Sequence, residues 1–104
     1  MKNKNLNDFV AFLLNTNENI QKNIQIDKEN WEGLSSLKIQ KLFYFIEATF
    51  LVKFNSQLFS EDYEAWAYGP VIRTLYNQLK IFEKKAFFYD EFKKMEIIRI
   101  LLIF

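Results

Sequence analysis

Glu64-Ala65-Trp66-Ala67-Tyr68-Gly69-Pro70-Val71 is the stretch that decides the fold, because it gathers one of two glycines, the sole proline and one of two tryptophans. A Gly-Pro step between large aromatics marks a place where the backbone must turn and be held. Proline in the first turn of a helix loses no hydrogen bond, since its N–H would be unpaired there anyway, and its fixed φ suits a helix start. This predicts Gly69 as the cap of a helix from Pro70 to about Lys80, with Val71, Leu75 and Leu79 on its inner stripe. Upstream, an extended approach places Trp66 and Tyr68 on one side and Ala65 and Ala67 on the other. Trp66 is then a core anchor, whose replacement by alanine would cost roughly 3–5 kcal/mol.

The seat for that anchor is the apolar segment Leu37 to Phe54. Ile39, Phe43, Ile46, Phe50 and Phe54 line one face and Tyr44, Ala48, Leu51 and Val52 nearly the opposite one, leaving Lys38, Thr49 and Lys53 as a narrow polar seam. A helix apolar on two faces has neighbours on both. The expected fold class is therefore all-α: a compact multi-helix domain around a central buried helix (about 37–54), with an aromatic Gly-Pro turn beside it. Ser35 or Ser36 can cap the start of this helix, and Asn55 is the left-handed residue that ends it. Leu58-Phe59 then returns an apolar pair to the core, and Ser60-Glu61-Asp62 carries a cap signature for a short turn or helix through Tyr63.

Leu6, Phe9, Val10 and Leu13 form the stripe of a short amphipathic helix, with Asn5 or Asn7 as its cap. Ile20 and Ile24 permit a second short helix in the polar stretch that follows, and Trp31-Glu32-Gly33 breaks the pattern. Beyond the connector Glu83-Lys84-Lys85, Ala86 to Tyr89 reads as extended, and Asp90 caps a last helix carrying Phe92 and Met95. That helix ends in Ile97 to Phe104, apolar nearly all round except for Arg99. Such a surface calls for burial in the fold, in a partner or in a second copy, or marks a shortened chain.

With 104 residues and no linker or repeat, one domain spanning 1–104 is expected. A net charge of +1 provides no basic field for holding phosphates, which disfavours nucleic acid as a partner. The chain has no cysteine and no histidine, so disulfides, thiolate chemistry and the commonest general base and metal ligand are missing. This is the composition of a cytoplasmic protein without cofactor or metal. The apolar segment after Met1-Lys2-Asn3-Lys4-Asn5 is broken by Asp8 and makes a poor signal peptide, and no uninterrupted apolar run reaches the roughly 18–20 residues of a membrane span.

Catalysis would have to rest on carboxylates, Lys, Tyr or Ser. Glu61, Asp62 and Glu64 form an acidic cluster that could work as acid and base or hold magnesium, but consecutive carboxylates at a turn are more often cap and solvent contacts. Glu47, inside the central helix, reads as a hydrogen-bond or salt-bridge partner of a neighbouring helix rather than as a group of raised pKa. Lys38 and Lys41, one turn apart with Arg73 nearby, suggest an anion or acidic-partner site; the plainer reading is a solvated face with buried alkyl stems. No catalytic residue is assigned, and the chain reads as a non-enzyme. Tyr68, Arg73 and Tyr76 are the candidate partner contacts, since aromatic residues and arginine supply binding hot spots.

Taken together, Leu37-Lys38-Ile39-Gln40-Lys41-Leu42-Phe43-Tyr44-Phe45, Leu58-Phe59, Glu64-Ala65-Trp66, Tyr68-Gly69-Pro70-Val71 and Leu75-Tyr76 resemble the Panacea domain, the SocA-like antitoxin family, over residues 34 to 80. Asn55-Ser56 stands where that family often has a glycine, an exchange asparagine permits because it also visits the left-handed region. The resemblance implies a compact, mainly helical, phage-associated antitoxin of a toxin–antitoxin system, neutralising a small toxin protein by direct binding and without catalysis. It implies that Leu37, Lys38, Gln40, Lys41, Leu42, Tyr44, Glu64, Trp66, Tyr68, Gly69, Pro70 and Val71 are chiefly scaffold, with toxin specificity on outward surfaces. It also implies further helices after the present end, so the expectation is a C-terminally shortened member. The alternative is a prophage-derived self-associating or scaffolding domain, a homodimer through the apolar C-terminus.

Overall fold

The polar stretch after Leu14 continues the first helix instead of starting a second. In the computed structural model, which describes residues 6–103, α1 runs Leu6–Asn23. No glycine or proline interrupts it. Its polar end is useful to the fold: Asn17 Nδ2 and Gln21 Nε2 donate to the Glu32 carbonyl at 2.8 and 2.9 Å, and Gln21 Oε1 accepts the Glu32 N–H at 2.8 Å. The helix closes with Gln25 in the left-handed region (φ 66), its N–H on the Lys22 carbonyl and that of Ile26 on the Gln21 carbonyl, a Schellman arrangement. Asn7 lies inside this helix; Asn5, the other cap candidate, and Phe104 lie outside the described residues.

The central helix, α2, spans Ser36–Phe54. Ser35 is its N-cap, accepting the Lys38 N–H at 3.2 Å, and Asn55 ends it at φ 52 with its N–H on the Leu51 carbonyl, as the residue types predict. The expectation that fails is burial on two faces. Ile39, Gln40, Phe43 and Glu47 are buried, whereas Tyr44, Leu51 and Val52 on the other side are exposed. Among the described residues only one face is well covered: on the other, Tyr44 meets the Tyr63 ring and stays half exposed, and Phe54, at the end of the first face, is exposed too.

Gly69 and Pro70 do not open a helix. Glu64–Trp66 (β1) and Gly69–Val71 (β2) pair antiparallel, Trp66 opposite Gly69 and Ala65 opposite Pro70, around the turn Ala67-Tyr68. Gly69 is needed at φ 119, a conformation closed to residues with a Cβ. Pro70 is tolerated because a two-stranded ribbon has an open edge where a missing N–H matters little. The following helix, α3, is shorter than predicted, Arg73–Leu79, and Ile72 precedes it without a side-chain cap. Residues 60 and 61 form a bend and 62 and 63 run on without regular structure, so no helix forms there. The last helix, α4, covers Tyr89–Ile103. Asp90 falls within its first turn; the start is held instead by Glu91, which accepts the Phe88 N–H at 3.0 Å, and by Glu18 of α1, which accepts the Tyr89 N–H at 2.8 Å.

Four α-helices and one small hairpin thus make up the regular structure of the described residues, with short 3-10 turns at Lys28–Asn30 and Lys80–Phe82, so the fold is mainly α-helical. The core joins Leu6, Val10, Leu13 and Leu14 of α1 to Ile39 and Phe43 of α2, Leu75 and Leu79 of α3, and Phe92 and Met95 of α4. Phe9, Phe43 and Phe59 meet at its centre with ring centroids 5.0–5.2 Å apart. Phe87 stacks on Phe82 at 3.8 Å while its backbone pairs with Leu34, at 3.1 and 2.9 Å.

That pairing explains Gly33. A Cβ there would sit 2.6 Å from the Phe87 carbonyl oxygen and 2.9 Å from its carbon and nitrogen, all backbone atoms that cannot rotate away. Gly33→Ala is therefore expected to lower stability by about 1–3 kcal/mol. An unchanged urea midpoint would show that the Leu34–Phe87 bridge is dispensable.

Candidate functional site

Most of the residues singled out in the sequence converge where the hairpin lies against α2. The joint is a buried glutamine. Gln40 Nε2 donates to the Ile72 carbonyl and Gln40 Oε1 accepts the Ile72 N–H, both at 3.0 Å, so the side-chain amide imitates a strand partner for the backbone between β2 and α3. Lys41, one residue on, donates to the Tyr68 carbonyl at 3.3 Å and ties down the turn of the hairpin.

Outside this joint lies a surface cluster. Arg73 Nε and Nη2 grip Glu64 Oε2 and Oε1 at 2.8 Å each, and Trp66 Nε1 donates to Glu64 Oε1 at 3.0 Å. The Arg73 guanidinium lies 5.4 Å from the Trp66 ring centre, and Trp66 meets Tyr76 at 4.8 Å. Strand alternation puts Glu64 and Trp66 on the same side of β1, and α3 brings Arg73 and Tyr76 to them on adjacent turns. The guanidinium and indole donors hold the Glu64 carboxyl below the usual carboxylate range, and Glu64 in turn raises Arg73. The pair is thus present above the ordinary pKa of a glutamate and is lost as pH falls through the lowered folded value.

Trp66 is half-buried and fills no core position. Its indole N–H needs an acceptor, and Glu64 provides one at the surface. Trp66→Ala is accordingly expected to cost about 1–3 kcal/mol, the range for partial burial plus one aromatic pair, in a thermal or urea melt. A cost near that of a deleted core aromatic would restore the anchor reading.

The remaining candidates divide by exposure. Leu42 is half-buried against the core, Val71 is buried, and Leu37, Lys38, Tyr44, Tyr68, Arg73 and Tyr76 are exposed. Tyr68 at the hairpin tip is 76 % exposed. Lys38, Lys41 and Arg73 do not form a convergent anion site, because Lys41 is bonded to Tyr68 and Arg73 to Glu64. Nor do Glu61, Asp62 and Glu64 converge: Glu64 pairs with Arg73, Ser60 Oγ lies 3.4 Å from Glu61 Oε1, and no group of three potential metal ligands occurs among the described residues.

Glu47 is the hydrogen-bonding residue expected, with a loop and not a neighbouring helix as its partner, whereas the roles of Gln40 and Gln21 escape sequence reading. Glu47 is buried and accepts the Leu58 N–H at 2.6 Å and the Phe59 N–H at 3.1 Å, holding the loop after α2. Gln40 and Gln21 each bond both backbone groups of a distant residue. An acidic residue inside an apolar helix signals some partner, but its loop cannot be identified from spacing. Beside Glu47, burial and that carboxylate push the Tyr63 phenol up, so it stays neutral, its ring against Tyr44 at 5.4 Å.

No helix among the described residues is long and apolar enough to cross a membrane. Residues 39–100 match the family described as "Antitoxin SocA-like, Panacea domain", a span that runs from α2 through the hairpin and α3 into α4. It leaves out Leu37 and Lys38 and extends past residue 80, where the resemblance in the sequence ends. No curated protein and no solved structure matches the chain.

Proposed function

Because the chain belongs to the SocA-like antitoxin family with a Panacea domain, we propose that it neutralises a cognate small toxin by direct protein–protein binding, without catalysis and in the cytoplasm, as part of a phage-associated toxin–antitoxin pair. The observation that carries this reading is the family match across the whole joint of α2, hairpin and α3. The surface chemistry supports it. Arg73 and Tyr76 are held in place by hydrogen bonds and a ring contact before any partner arrives, and pre-ordered aromatic and arginine side chains lose little entropy on binding; Tyr68, beside them, has its backbone carbonyl fixed by Lys41 and its side chain open to solvent. Co-expression of the chain with the product of an adjacent small gene tests it, scored by growth and by co-purification. Rescue with a stable complex is the expected result; a folded chain that neither rescues nor binds overturns it.

Self-association is the second reading, favoured by the end of α4. Ile97, Ile98, Ile100, Leu101 and Leu102 are 54–81 % exposed on a helix whose Arg99 is turned inward to the Gln78 carbonyl at 2.8 Å. A concentration-dependent dimer that Leu102→Glu dissolves would establish it; a monomer at all concentrations would dismiss it.

A further inference from the structure

The outward side of α2 is composed like an interior. Val52 is 87 % exposed and Phe45 69 %, with Leu37, Tyr44 and Leu51 close to half exposed. At 3.6 residues per turn Leu37, Lys41, Tyr44 or Phe45, Ala48 and Val52 follow one another along a single stripe. Lys41, in that stripe, holds the hairpin tip, so exposed Tyr68 borders it. A whole aromatic side chain presents about 150–250 Å², so these exposed fractions sum to several hundred Å², comparable to one side of a standard interface at about 800 Å². A patch of that extent on a single chain marks an interaction site.

The charges around the stripe indicate its occupant. α2 carries Lys38, Lys41, Lys53 and Glu47, and Glu47 is buried with its oxygens bound to the Leu58 and Phe59 N–H groups. Every charge that α2 itself presents to solvent is therefore positive, with Lys38 and Lys53 beyond the Phe45 edge of the stripe and Lys41 within it, whereas the Tyr44 edge meets Tyr63, beside which stands Glu61. A second copy fits poorly, because α2 against α2 would oppose lysines, and the exposed end of α4 offers them isoleucines and leucines without a carboxylate among the described residues 97–102.

We propose that this face, Leu37, Tyr44, Phe45, Leu51 and Val52 with Tyr68 at its border, docks an apolar segment of the partner protein that carries carboxylates along the flank meeting Lys38 and Lys41. The inference rests on the antitoxin reading for the nature of the partner and adds its chemistry and its place on the molecule. The lysines steer the acidic flank into register, and the apolar stripe supplies the buried contact. Specificity then lies on α2 itself, opposite the side that joins the core.

A helical peptide with leucines on one side and glutamates along one flank, and its twin with lysines for the glutamates, are titrated into the full chain by fluorescence anisotropy. The glutamate peptide is expected to bind at least about tenfold more tightly than the lysine twin, less so as salt is raised. The double substitution Phe45→Glu with Val52→Glu should abolish binding while circular dichroism stays unchanged, because both side chains point to solvent. Equal binding of the two peptides, or undiminished binding by the double variant, overturns the proposal. So does a wild-type dimer that the double variant dissolves. In the toxin growth assay, rescue retained by the double variant rejects this face and leaves the antitoxin reading standing. Failure of the wild type to rescue, while the glutamate peptide is still selected, rejects the antitoxin reading and supports the face.

Discussion

Glu47→Ala is expected to destabilise the fold by about 3–6 kcal/mol, since a hydrogen bond to a charged group contributes about 1.5–3 kcal/mol and two are lost together. The Leu58 and Phe59 N–H groups have their acceptors in the Glu47 carboxylate, and Phe59 is fully buried against Phe9 and Phe43. Removing the carboxylate leaves two donors in an interior that water reaches poorly and loosens the loop that delivers Phe59. Glu47→Gln keeps one acceptor oxygen and should fall between wild type and alanine. Urea melts followed by circular dichroism provide the measurement. For a domain whose total stability lies at about 5–15 kcal/mol, the alanine variant would be close to unfolding. If both variants melt within about 1 kcal/mol of wild type, the loop is not held through Glu47.

Gln40→Leu should cost about 2–4 kcal/mol: about 1–3 for the orphaned Ile72 N–H and a smaller amount for the Ile72 carbonyl. The carbonyl suffers less because it also accepts the Tyr76 N–H at 3.0 Å. The substitution keeps the volume and apolar stem of the side chain, so the loss reports the amide alone. Its signature should be local as well as global. Hydrogen exchange ought to rise first in Glu64–Val71 and at Ile72, since Gln40 fastens that segment to α2. Uniform exchange across the molecule, with no excess in the hairpin, would mean that the hairpin is held by its apolar contacts and not by the glutamine.

These two residues show where sequence reading succeeds and where it stops. Both stand inside an apolar helix whose extent, cap at Ser35 and ending at Asn55 are local properties, set by side-chain oxygens and backbone conformations within a few residues. Neither partner is local: Phe59 lies twelve residues from Glu47, and Ile72 thirty-two from Gln40. The Gly-Pro step was equally ambiguous. Proline suits a helix start and an open strand edge alike, and the choice fell to the register that sets Trp66 against Gly69 and allows Glu64, Trp66, Arg73 and Tyr76 to meet.

By itself the sequence determined a mainly helical chain, the position of its central helix, the absence of histidine and cysteine chemistry, and a motif pattern characteristic of its family. Periodicity, caps and composition are sufficient for these because each is fixed by neighbours along the chain. Only the tertiary structure decided that the step at Gly69 is a hairpin, that Trp66 belongs to a surface cluster, and that the second apolar face of α2 lies open. Hydrophobic pattern records that a face is to be covered, whatever covers it. Whether the cover comes from the same chain depends on how many elements can pack around one helix, and here the hairpin, α3 and the loop carrying Phe59 all settle on the same side.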